Sequence, residues 1–159
     1  MLLEVSNFFD CLGFDGVYDA RDDGGLSKVS VEKFQGDGSC LYQALEMERS
    51  ELTAKVKSII MASQNLASQF SGLFAFYGVT LDEWMKRPER AVLWIEDMEI
   101  CFVTLLKKRR VSVYRYNGKE FRKLVKHGPE GGDERWIAFI NVSTIREPDY
   151  HYVKLIKQE

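Results

Sequence analysis

Cysteine, proline and histidine are all scarce in this chain of 159 residues, which has three, three and two of them. Cys11, Cys40 and Cys101 are odd in number and widely spaced. They make neither a disulfide framework nor a paired Cys-x-x-Cys zinc site, which points to reduced thiols and a cytoplasmic setting. No apolar run reaches transmembrane length, and Met1-Leu2-Leu3-Glu4-Val5 lacks the basic start of a leader, so a soluble, unsecreted chain with no membrane partner is expected. Charge of one sign is missing as well. A net charge of −2 and a pI near 5.8 give no general attraction to nucleic acid. The Asp- and Gly-rich stretch from Phe14 to Ser27 lacks calcium-loop spacing and reads as a loop. Neither a metal nor a cofactor is expected, and no repeat or linker divides the chain.

What is present suits one folded domain over residues 1–159, with 45% hydrophobic and 13% aromatic residues. Leu2, Val5, Phe8, Phe9 and Leu12 recur at helical spacing and predict an amphipathic helix ending near Gly13. Val29, Val31 and Phe34 alternate with polar residues and predict a short strand. Helical patterns follow over Ser50 to Phe70, at Thr80 to Met85 behind a Thr80/Glu83 capping-box spelling, and over Ala91 to Leu106. In the last of these Cys101 reads as an inert core thiol, and Lys107-Lys108-Arg109-Arg110 as cations favoured by the helix C-terminus. The period then changes to two. Val111 to Tyr116, Glu120 to Val125, Trp136 to Val142 and Tyr150 to Ile156 predict strands, with Asn117-Gly118 as a hairpin turn. The expected class is α+β, a small and mostly antiparallel sheet flanked by helices.

Gly36-Asp37-Gly38-Ser39-Cys40-Leu41-Tyr42 carries the chemistry. Two glycines permit unusual backbone angles, Ser39 can cap a helix, and a thiol at a positive helix end is biased toward thiolate. The plain alternative is a capped helix whose first residue happens to be cysteine. A nucleophilic cysteine needs an imidazole to take and return its proton. Of the two histidines, His127 sits in the polar stretch Lys126-His127-Gly128-Pro129, whereas His151 has aromatic neighbours, Tyr150 and Tyr152, able to hold its ring. His151 is therefore chosen.

Asp37-Gly38-Ser39-Cys40-Leu41-Tyr42 with Ala44 resembles the nucleophile motif of the OTU (ovarian tumour) family of cysteine proteases. Beyond it lie a tryptophan-bearing acidic segment, Trp94-Ile95-Glu96-Asp97-Met98-Glu99, a Val111-x-Val113-Tyr114 strand and the pair His151-Tyr152. The resemblance implies an OTU-like, papain-type fold and a deubiquitinase, with ubiquitin or a ubiquitin-like modifier as partner and a monomeric enzyme. It assigns Cys40 as nucleophile, His151 as base and acid, and Asp37 as a catalytic or oxyanion-loop aspartate. Many family members carry Asn or Asp two residues after the histidine, where this chain has Val153. Asn141, taken as a cross-strand neighbour of His151, or Asp149 could orient the ring instead, and a Cys-His dyad is equally open. Tyr150, Tyr152 and Trp94 are candidate walls for a Gly-Gly tail. Glu96 and Asp97 read as a solvated helix face or as partners for arginines in that tail. Two alternatives stand beside this: a viral OTU protease cut from a longer polyprotein, and an inactive OTU-like module that binds ubiquitin.

Overall fold

The fold comes from a computed structural model. It describes residues 14–34, 40–88, 93–141 and 150–158, excepting the side chains of 93, 94, 141 and 150. The expected amino-terminal helix, with Cys11, falls outside these residues.

The described residues form six strands: β1 (Tyr18–Asp22), β2 (Gly25–Glu32), β3 (Arg110–Tyr116), β4 (Phe121–His127), β5 (Glu134–Asn141) and β6 (Tyr150–Lys157). Between β2 and β3 lie five helices: α1 (Cys40–Leu45), α2 (Arg49–Met61), α3 (Ala67–Tyr77), α4 (Leu81–Met85) and α5 (Leu93–Lys107). The strands close into a barrel in the order β1-β2-β6-β5-β3-β4. Neighbours are antiparallel except β1 with β4 and β3 with β5, which run parallel. This corrects the expected sheet flanked by helices and, with it, the OTU-like, papain-type fold. Two things overturn it: the stretch read as a loop from Phe14 to Ser27 contains β1 and the start of β2, and β1 then closes the sheet onto β4 through Ala20↔Phe121 and Arg21↔Arg122. The Asp- and Gly-rich run is a tight turn between two strands. Asp22 pairs with Gly25, and the Asp22 carboxylate accepts the Gly24 N–H at 2.8 Å.

Strand side chains alternate between faces, so a barrel wall with helices against it carries two cores. Inside, Phe14, Ala20, Val29, Tyr114, Phe121, Ala138, Ile140, Val153 and Leu155 pack together. Outside, Val111, Val113, Ile137, Phe139 and Tyr152 meet the buried stripes of the helices, among them Leu41, Leu45, Phe70, Trp84 and Phe102. Local signals set the helix ends. Gly78 ends α3 in the left-handed region at φ 69°, and the Thr80 hydroxyl and Glu83 carboxylate form the capping box of α4. No helix among the described residues is long and apolar enough to cross a membrane.

One buried carboxylate joins three of the helices. Glu99 of α5, fully buried, accepts hydrogen bonds from the Tyr42 hydroxyl of α1 at 2.6 Å and the Trp84 indole N–H of α4 at 2.9 Å. It also pairs with Arg87, whose guanidinium stacks 4.2 Å over the Trp84 ring and donates to Trp84 O and Thr53 Oγ1. Two ions buried together depend on these extra hydrogen bonds to offset their desolvation.

Candidate functional site

The position of α1 follows from where β2 stops. Its pairing with β6 runs from Val29↔Lys157 to Glu32↔Lys154, so the stretch of β6 before Lys154 lies past the end of β2. Helix α1 fills that place. Its first residue, Cys40, accepts the Tyr152 N–H on Sγ at 3.4 Å, a contact between residues 112 apart in sequence. Just past its last residue, the Glu46 carboxylate takes Lys154 Nζ at 2.6 Å, with Arg135 and Arg109 close by. The hydrogen bond from Lys154 leads these contacts in lowering the Glu46 pKa to about 2. Both ends of α1 are thus strapped to β6, at Tyr152 and at Lys154.

Cys40 is buried, as are Tyr152 and His151. Tyr152 belongs to the outer core with Cys40, while Val153, Leu155 and Ile140 belong to the inner one. His151 pairs with Ile140 in the ladder and shares the parity of Val153, so alternation turns its side chain toward the barrel interior while Tyr152 turns toward α1. The sulfur therefore lies against the backbone one residue beyond the imidazole's own. Burial, and then Glu96, raise the Tyr152 pKa well above its usual value, and the tyrosine hydroxyl is hydrogen-bonded to Glu96.

The remaining expected site residues are distributed as follows. Asp37 and Asp149 fall outside the described residues. Asn141 is the last residue of β5 and stands opposite Tyr150; Ile140 is the residue opposite His151, so the expected cross-strand pairing is displaced by one. Glu96 and Asp97 are not a solvated face, since Glu96 meets Tyr152 and Asp97 meets His127. The walls proposed at Trp94 and Tyr150 rest on side chains outside the description.

A second thiol has an imidazole beside it. Asp97 and Cys101 are four residues apart on α5 and so lie on one face, a turn from each other. His127, the last residue of β4, spans them: Nε2 is 3.0 Å from Asp97 Oδ1, and Nδ1 is 3.5 Å from Cys101 Sγ. The Tyr77 hydroxyl donates to the other Asp97 oxygen. His127 was expected in an exposed loop and Cys101 in an inert core. Strand β4 instead continues past Val125 through Lys126 to His127 and carries the ring onto α5, its side chain only 17% exposed. The spacing of Asp97 and Cys101 was the sequence signal for this cluster.

No protein-family model, no curated protein and no solved structure matches the chain.

Proposed function

We propose that this protein is a thiol-dependent hydrolase with Cys40 as nucleophile and His151 as base, cleaving the bond after the Gly-Gly end of ubiquitin or a ubiquitin-like modifier. The observation that carries it is the 3.4 Å contact from Tyr152 N to Cys40 Sγ, which joins the thiol to the chain segment bearing His151. The local spelling around Cys40 supplies the substrate class through its resemblance to OTU nucleophile motifs, a resemblance that does not extend to the barrel. In this mechanism Cys40 sulfur attacks the carbonyl carbon of the terminal glycine while the Cys40 N–H meets the developing oxyanion. The mechanism requires the His151 ring to reach the α1 side of β6, away from its inward position in the ladder; from there its imidazolium protonates the leaving amine, giving a thioester. His151 then takes a proton from water, and the resulting attack frees the carboxylate and the thiol.

A second function, ubiquitin binding without turnover, is favoured by the alternation that turns His151 inward and by Val153 in place of a polar orienting residue. Incubation with di-ubiquitin of each linkage separates the two. Monomer released by the wild-type protein and not by Cys40→Ala supports the hydrolase. Binding without monomer, unchanged in His151→Ala, supports the module and contradicts catalysis.

A further inference from the structure

The Asp97–His127–Cys101 chain is not used by the function proposed above, and it borders a cavity. A groove of about 780 Å³ is lined by Leu66, Leu73, Phe76, Leu105 and Pro129 with Cys101 and His127 in its wall. Its volume lies within the range of about 300–1,000 Å³ usual for sites that hold small ligands, and its lining is predominantly apolar. Phe76 is 80% exposed at the rim. The cluster itself is firmly set. Gly128, directly after His127, has φ +102°, and a Cβ there would come within 2.5 Å of Arg109 O, so only glycine fits the turn that presents the imidazole.

We propose that Cys101 is a site of S-acylation, taking a long-chain acyl group from an acyl thioester and laying the chain in the groove between α3 and α5. The donors and acceptors are strung in a line, carboxylate to imidazole to thiol, rather than converging on a point. Among the described residues no group of three His, Cys, Asp or Glu side chains is disposed to hold a metal ion. The Asp97 hydrogen bond leads in raising the His127 pKa to about 10, which makes the ring an imidazolium near neutrality with an N–H toward each partner.

The step balances without an oxidant. Cys101, its proton lost to solvent and its thiolate held against the His127 imidazolium, attacks the acyl carbonyl through sulfur. The bond from the carbonyl to the donor's sulfur breaks, and His127 Nδ1–H protonates the departing thiolate, leaving a Cys101 thioester and a free thiol; the neutral imidazole then regains a proton from solvent. Cys101 sits in the middle of α5, where backbone N–H groups are engaged in i→i−4 bonds and cannot form an oxyanion site. Acylation and hydrolysis are both unassisted by such a site there, and the acyl chain lying in the apolar groove keeps water from the thioester, so the group is retained.

The test is to incubate the protein with palmitoyl-CoA or acetyl-CoA and follow acyl addition by intact mass, hydroxylamine release and peptide mapping. One palmitoyl group on Cys101 is expected, added faster than acetyl, slowed roughly 10²-fold in His127→Gln and still present in Cys40→Ala. Phe76→Asp, at an exposed position that folding does not need, is expected to slow palmitoylation and leave acetylation unchanged. It decides the matter if His127→Gln proves unfolded by circular dichroism. Acylation spread equally over Cys40 and Cys101, acetyl transfer as fast as palmitoyl transfer, an unaffected Phe76→Asp, or no adduct at all would overturn the assignment.

Discussion

The surroundings of Cys40 and Cys101 are built oppositely. Cys40 starts a helix, follows a glycine-rich spelling and touches a strand backbone, with its histidine one residue away in the chain. Cys101 sits in mid-helix, marked in the sequence only by Asp97 one turn before it, yet an imidazole and, beyond it, a carboxylate are hydrogen-bonded to it in series. A motif in the sequence and a proton-transfer geometry in the fold are thus separate kinds of information, and here they fall on different thiols.

The largest expected effect sets the two thiols against each other. Cys40→Ala is expected to lower di-ubiquitin turnover by at least roughly 10⁴-fold, as loss of a nucleophile does, with Cys101→Ala retaining turnover in the same assay. The reverse pattern would move catalysis to the second thiol.

Next in size is the buried carboxylate between the helices that carry them. Glu99→Ala leaves Arg87 charged and unpaired in the core and strips partners from Tyr42 and Trp84. Equilibrium urea unfolding is expected to record a loss of about 3–5 kcal/mol. A loss below about 1 kcal/mol would mean that α1 and α5 are not coupled through this residue.

Gly128→Ala tests the second region alone. A side chain at φ +102° pressed against Arg109 O is expected to cost roughly 1–3 kcal/mol in the same unfolding measurement. The variant is also expected to disturb the His127 ring resonances in NMR spectra.

The last effect is a pH dependence confined to the second region. His127 is raised from 6.5 to about 10 in the fold, so its contribution is complete below about pH 6.5 and is lost as pH rises through 10. Asp97, lowered chiefly by its hydrogen bond to His127, contributes above its ordinary range and loses that contribution in acid. Asp97, Cys101 and, through Asp97, Tyr77 are the titratable groups in contact with the ring. Unfolding free energy is expected to decline between about pH 6.5 and 10 in the wild type, and to decline less in His127→Gln. Added salt should shrink the difference, because the Asp97 side chain is 36% exposed.

What the sequence revealed follows from range. The capping box at Thr80, the long helix through Trp94 to Leu105 and the turn at Asn117-Gly118 are written in neighbouring residues, and they appear in the fold as α4, α5 and the β3–β4 connection. Strand β1 was hidden because only Ala20 of its five residues is buried, so it offers no hydrophobic alternation to detect. Barrel closure depends on parallel partners far apart in the chain, Ala20 with Phe121 and Ser112 with Trp136, which no local pattern reports. Cys101 and His127 remained separate for the same reason, since it takes the end of β4 crossing α5 to bring them together. His151 was chosen by asking which histidine a thiol would need; the Tyr152 N–H contact to Cys40 and the alternation that turns His151 inward are long-range features that no local pattern reports.

The most direct test is to react the protein with a ubiquitin carrying a C-terminal electrophile and map the adduct by peptide sequencing. Cys40 acting with His151 predicts a single adduct on Cys40 in the wild type and none in His151→Ala. An adduct on Cys101 or Cys11, or one on Cys40 that forms equally fast without His151, would contradict it.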